Sequence, residues 1–205
     1  MNNSYFVSGI GTSVGKTMVS SVLVSYWEAE YWKPIQSGDL DQTDSMMIDY
    51  LLSEQVKIHP ERYKLKLAAS PHYAAEEEGI QIKLEDFKIP ETNNNLIIEG
   101  AGGLMVPISE SKFIIDLIEH LKLPVILVCN DYLGCINHTL LSYILLKERN
   151  IKLSYLVLNG EFIKSTERIL LQQKPRDTRV IRIPWMKEQN PKAHQEALKK
   201  MKIEY

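Results

Sequence analysis

The sequence predicts a doubly wound α/β fold, a mostly parallel sheet flanked by helices, and three observations carry that expectation. Apolar strand-like stretches recur along the chain, segments of helical period lie between them, and stretches such as Val125-Ile126-Leu127-Val128 are continuously apolar instead of alternating. Continuous apolar strands suit a parallel sheet covered on both faces by helices.

The elements follow in order. A strand at residues 5–7 leads through a Gly-rich loop to a helix over 18–27, then to a short strand at 30–32 and a helix over 43–52. Residues 54–95 are more polar, with the acidic run Glu76-Glu77-Glu78 and the turn Asn93-Asn94-Asn95; they read as a surface excursion with short helices. Beyond it, strands at 96–98, 125–129, 155–158 and 180–183 alternate with helices over 113–121, 137–148 and 165–172, each with apolar residues at three and four spacing. A last amphipathic helix ends near Lys199-Lys200. No internal repeat is visible, and 205 residues at 44% hydrophobic predict one domain over 1–205.

Composition narrows the function. A net charge of −2 without a Lys/Arg-dense stripe gives no electrostatic reason for a nucleic-acid or membrane partner. No stretch approaches the roughly 20 apolar residues of a membrane span. Cys129 and Cys135 have no His/Cys cluster beside them, which argues against zinc. With no basic-then-apolar leader ahead of the first strand, a cytoplasmic protein without a disulfide is expected.

The most informative run is Gly9-Ile10-Gly11-Thr12-Ser13-Val14-Gly15-Lys16-Thr17, set between a strand and a helix. Glycines let backbone N–H groups turn onto an anion, the helix aims its positive end at the same point, and Lys16 adds a full charge. Thr17 stands where the Gly-Lys-Ser/Thr signature places the hydroxyl that ligates Mg²⁺. The loop is a variant: the strict pattern has Gly where this chain has Ile10. A nucleoside triphosphate is the expected ligand and a P-loop NTPase-like fold the expected frame.

In an open parallel sheet, ligands gather beyond the C-terminal ends of strands. Glu99 ends the strand at 96–98 ahead of Gly100-Ala101-Gly102-Gly103 and resembles an acidic Walker B group for Mg²⁺, or else a loop cap. Lys33-Pro34-Ile35-Gln36-Ser37-Gly38 follows another strand, where Lys33 could hold a second anion. Asp44 taken singly reads as an ordinary first-turn helix acid.

Together these segments resemble the dethiobiotin synthetases. The resemblance runs through the loop at 9–17, Lys-Pro-x-x-Ser-Gly at 33–38, Ser70-Pro71-His72, Glu-Gly-Ala-Gly-Gly at 99–103 followed by Val106-Pro107, Leu133-Gly134-Cys135-Ile136-Asn137-His138, Asn159, and Ile183-Pro184-Trp185. It implies an enzyme that joins CO₂ to 7,8-diaminononanoate at the expense of ATP, with Mg²⁺, and closes the ureido ring of dethiobiotin with release of ADP and phosphate. It assigns Lys16 and Lys33 to the meeting of carbamate and γ-phosphate, Thr12 and Ser37 to carbamate and substrate, and Thr17, Asp44 and Glu99 to Mg²⁺. It further implies nucleotide contacts from Ser13, Val14, Gly15, Met18, Gly100, Ala101 and Gly102. Asn159 and Gly160 with Pro184, Trp185 and Met186 would lie at the base. The helix start at Gly134, Cys135, Ile136 and Asn137 would cradle the substrate's far carboxylate across a homodimer interface, with His138 structural.

The loop departs from the family's common Gly-Thr-Asp-Thr-x-Val-Gly-Lys-Thr at Ile10 and Gly11, and Ser13 stands where an acid is frequent; the phosphate grip is expected to survive. The chain is compact between the first helix and Lys33, and the polar Lys174 to Thr178 and C-terminal segments offer no second clear base-reading group, so base selectivity is open. The alternative is a P-loop switch or partitioning ATPase, but the signature lysine of that class would fall at Gly11. A cobyrinic-acid-type amide synthetase would need a glutaminase domain for which 205 residues leave no room.

Overall fold

The computed structural model describes residues 3–53 and 55–204. Its frame is an eight-stranded sheet. The first half contributes β1 (Ser4–Gly9), β2 (Glu30–Trp32), β4 (Ile58–His59) and β6 (Leu96–Gly103); β7 (Val125–Cys129), β8 (Leu153–Asn159), β9 (Arg179–Ile183) and β10 (Lys202–Glu204) complete it. The order across the sheet is β10-β9-β8-β7-β1-β6-β2-β4, parallel throughout except for β10 against β9. A separate parallel pair joins β3 (Ile35–Ser37) to β5 (Tyr63–Leu65).

Helices fill the connections: α1 (Lys16–Trp27), α2 (Asp44–Leu51), α3 (Pro71–Glu77), α4 (Ile114–Leu121), α5 (Cys135–Glu148), α6 (Lys164–Gln173) and α7 (Pro191–Lys200), with a 3₁₀ turn at Leu84–Asp86. Local chemistry sets several of their ends. Thr43 caps α2 by accepting from the Met46 N–H at 3.1 Å, Asn190 caps α7 by accepting from Ala193, and Pro71 and Pro191 open α3 and α7. Among the described residues, no helix is long and apolar enough to cross a membrane.

The expectation of a mostly parallel, helix-covered sheet is met, and every residue of β7 and β8 is buried, as two-sided cover requires. Residues 54–95 hold more than the short helices expected: β4 extends the main sheet and β5 pairs with β3. The chain also returns at its end as β10, where the sequence suggested only the end of a helix.

Topology places the site. From β1, successive strands step one way to β6, β2 and β4 and the other way to β7, β8 and β9, so the order reverses at β1. The loop leaving β1 therefore opens into the crevice at the switch point of the sheet. The pairing of β1 with β6 shifts register between Val7 and Gly9, just where that loop begins.

Candidate active site

The loop from Gly9 to Thr17 turns directly into α1, whose first residues are Lys16 and Thr17. Gly15 has φ +85°, a left-handed conformation open to glycine, and a Cβ there would collide with the Asn159 amide. That amide donates to the Val14 carbonyl at 2.9 Å, tying the end of β8 to the loop across 145 residues. Among the described residues, only the β1–α1 connection combines such a turn with a lysine and a threonine at the helix start.

Four elements converge beside this loop. Thr17 Oγ1 lies 2.8 Å from Asp44 Oδ1, at the start of α2, and 2.9 Å from Glu99 Oε1, on β6. Lys33, just past β2, places Nζ 2.5 Å from Asp44 Oδ2 and 3.2 Å from Glu99 Oε1, and also donates to the Gly100 carbonyl at 3.3 Å. The Tyr31 hydroxyl donates to Glu99 Oε2 at 3.1 Å. Lys16 Nζ reaches only the Gly11 carbonyl, at 3.4 Å.

The charges are nearly dry: Lys33 is 4% exposed, Lys16 8% and Glu99 0%. Burial pulls the Lys16 ammonium below its usual value, more than the nearby Glu99 carboxylate restores. For Lys33 burial acts in the same direction, but Glu99 and Asp44 outweigh it and hold the ammonium above its ordinary value. Burial would raise Asp44, yet the Lys33 charge and hydrogen bond bring it below the usual carboxylate range. Burial and Glu99 push Tyr31 up, so it stays a donor at neutral pH.

A cleft of about 1050 Å³ opens over this cluster. Of the residues expected from sequence, Thr12, Ser13, Gly15, Lys16, Thr17, Met18, Lys33, Ser37, Asp44, Glu99, Ala101 and Gly102 line it. Val14 and Gly100 sit behind the wall and face the network through their carbonyls. Asn159 is buried behind the phosphate loop, and Gly160 is held to β9 by its N–H on the Ile183 carbonyl at 2.8 Å. Trp185 is half exposed near Gly15 and Gly160, beside Pro184 and a buried Met186. Gly134, Cys135, Ile136 and Asn137 form the start of α5 and do not line this cleft within one protomer. His138 accepts or donates at Nδ1 with the Tyr132 hydroxyl at 2.6 Å, a local contact.

Sequence reasoning overlooked several lining residues. Gln36, Asp39, Asp41 and Gln42 reach the cleft from β3 and the turn after it, and Gln189 reaches it from the loop before α7. Gln36 Oε1 accepts from the Asp44 N–H at 3.3 Å and so helps place α2. Tyr31 was hidden in an apolar strand; an aromatic hydroxyl one strand away from a predicted carboxylate was the available signal.

An AAA-domain family model matches residues 3–193. The ATP-dependent dethiobiotin synthetase of Cytophaga hutchinsonii is 50% identical over 170 residues, 82% of each chain. The chain belongs to the dethiobiotin synthetase family. The synthetase of Christiangramia forsetii is 46% identical, covering 82% of this chain and 81% of its own, and that of Brucella ovis 38% over 93% and 90%. Among solved structures, a ParA family ATPase from Chlorobium tepidum superposes with a TM-score of 0.55 at 16% identity, covering 97% of this chain and 89% of its own. That likeness is one of fold. This chain thus shares its fold with a ParA family ATPase, and the alternative of a P-loop switch or partitioning ATPase is not favoured.

Proposed function

We propose that this chain converts 7,8-diaminononanoate, CO₂ and ATP to dethiobiotin, ADP and phosphate, as one domain spanning residues 1–205. The observation that carries the proposal is the presence of Lys33, from outside the phosphate loop, in the same buried cluster as Thr17, Asp44 and Glu99, beside Ser37 and Lys16. A simple nucleotide hydrolase has no use for a second buried lysine there.

The chemistry explains the arrangement. One substrate amine adds to CO₂ and loses a proton, giving a carbamate; a carbamate oxygen attacks the γ-phosphorus and ADP leaves; the second amine attacks the carbonyl carbon, losing a proton as phosphate departs. Carbamate and γ-phosphate are both anions, so Lys16 and Lys33 stabilise their approach in a site where burial magnifies the effect. Thr12 and Ser37 orient the carbamate, and the Ser37 hydroxyl is buried without a protein partner, which suits a group reserved for a ligand.

Thr17, Asp44 and Glu99 offer a hydroxyl and two carboxylates, hard oxygen donors of the kind Mg²⁺ takes alongside phosphate oxygens and water. The set fits: the Thr17 hydroxyl has one proton and two carboxylate oxygens within 2.9 Å, so one oxygen pair lacks a proton and depends on nearby positive charge, which Lys33 supplies here and a bound cation could supply instead. Among the described residues no group of three His, Cys, Asp or Glu side chains forms a self-contained metal cage, which agrees with a metal arriving on the nucleotide. When bound, Mg²⁺ would supply positive charge to the β- and γ-phosphate oxygens.

The base would lie against Trp185, with the Asn159 side-chain amide as its polar contact. We also propose a cytoplasmic homodimer. Leu133, Leu141 and Ile144 are exposed on and beside α5, an apolar face at the same helix start that would receive the substrate carboxylate of the partner protomer.

Phosphate release and product mass, measured with diaminononanoate, bicarbonate and ATP each omitted in turn, test the proposal. Dethiobiotin should appear only with all three. Phosphate release that is indifferent to diaminononanoate would overturn it.

A further inference from the structure

Every oxygen of the two carboxylates at the centre of the cleft has a hydroxyl or ammonium within hydrogen-bond distance. Asp44 gives Oδ1 to Thr17 and Oδ2 to Lys33; Glu99 gives Oε1 to both Thr17 and Lys33, and Oε2 to Tyr31. Thr17 can donate one proton, so it satisfies Asp44 or Glu99 but not both. At the other carboxylate, two oxygens face each other at under 3 Å, a contact that persists only beside positive charge. Lys33 supplies that charge. Lys16 adds to it only from farther off, its Nζ donating at 3.4 Å to the Gly11 carbonyl and to neither carboxylate.

We infer that Lys33 is a built-in placeholder for the divalent cation: its ammonium neutralises the Asp44 and Glu99 pair in the nucleotide-free protein and is displaced from Asp44 when the metal-bound nucleotide enters. The inference rests on the function proposed above and assigns Lys33 a second position within it. A buried carboxylate pair without a cation is costly, so some positive charge must stay in place before ligand arrives. Lys33 lies just past β2, and its ammonium also donates to the Gly100 carbonyl at 3.3 Å, a contact it can keep as it leaves Asp44. Once displaced, its donors are free for the reacting anions. The same ammonium thus competes with the metal before loading and serves the chemistry afterwards.

Binding of Mn²⁺ alone, followed by electron paramagnetic resonance on nucleotide-free protein, tests the competition. Lys33→Met keeps most of the length of the side chain and removes its charge; it should bind Mn²⁺ about ten-fold tighter than the parent, because the positive charge held between the two carboxylates has been removed. Unchanged or weaker Mn²⁺ binding in a folded variant would overturn the inference. If Lys33→Met fails to fold, a crystal structure of the parent with Mg²⁺ and a non-hydrolysable ATP analogue decides it. Lys33 Nζ should then lie beyond hydrogen-bond reach of Asp44, whereas a bound metal with that ion pair intact would overturn the inference. Dethiobiotin formation by the parent is measured separately, so a failed placeholder with an active enzyme leaves the proposed reaction standing, and an inactive enzyme does the reverse.

Discussion

Tyr31 donates its hydroxyl to Glu99 Oε2 at 3.1 Å, and neither residue is exposed to solvent. Tyr31 lies on β2 and Glu99 on the neighbouring β6, so the bond locks one carboxylate oxygen and leaves the other turned to Thr17 and Lys33. Tyr31→Phe keeps the packing and strands that oxygen. Urea unfolding should show a loss of about 1–3 kcal/mol, the cost of an unsatisfied buried acceptor. A variant as stable as the parent would show the bond to be idle.

Lys16 is the charge of the phosphate loop, and its value should be greatest where negative charge spreads over the transferring phosphoryl group. Lys16→Ala is expected to lower turnover by about 10²-fold or more in steady-state assays. Circular dichroism should remain that of the parent, since Lys16 makes only one long hydrogen bond in the protein. Near-normal turnover would remove Lys16 from the chemistry.

The exposed face of α5 makes a separate claim. Leu141→Asp should give a monomer in sedimentation at assay concentration and lose dethiobiotin formation, while the nucleotide still binds in calorimetry, because Leu141 lies outside the cleft. An active monomer would contradict the shared site.

Stability at low pH has a local source on β2, one strand in from the edge of the sheet. Burial would raise Glu30, but hydrogen bonds from Asn94, Thr92, His59 and Lys57 hold it down at about 2, below the ordinary 4.5. A depressed folded value means the stabilisation is present above pH 4.5 and is lost as pH falls from there toward 2. Glu30→Gln should be less stable than the parent at pH 7 and should lose less further stability on acidification through this window. Denaturant melts at intervals of pH check it; parallel curves for the two proteins would rule Glu30 out.

How much of this could be read from the chain depends on distance along it. The phosphate loop is nine contiguous residues whose glycines, lysine and threonine declare their chemistry locally. The frame was equally visible, because β7 is an uninterrupted apolar run and β8 carries one from Tyr155 to Leu158. The cluster that Lys33, Asp44 and Glu99 form with Thr17 was not visible from the residues themselves. Asp44 looks like any first-turn acid, and its partners lie 27 and 11 residues away with Glu99 farther still; only the family resemblance put them together. β4 and β5 escaped notice because two- and three-residue strands carry too little periodicity to register, and their pairing comes from neighbours distant in sequence. Tyr31 was lost for the opposite reason: in an apolar strand its ring explains its presence, and its hydroxyl goes unremarked.

The walls of the cleft hold two basic residues, Lys16 and Lys33, against four acidic ones, Asp39, Asp41, Asp44 and Glu99. Viewed from a distance, the mouth therefore offers an approaching polyanion no attraction, and free nucleotide must arrive by unaided diffusion. A nucleotide already carrying its divalent cation has shed much of its charge and meets a gentler field. The lining thus disfavours the bare triphosphate at encounter more than the metal complex, and added salt, by screening that repulsion, should speed association of the bare triphosphate more than that of the metal complex.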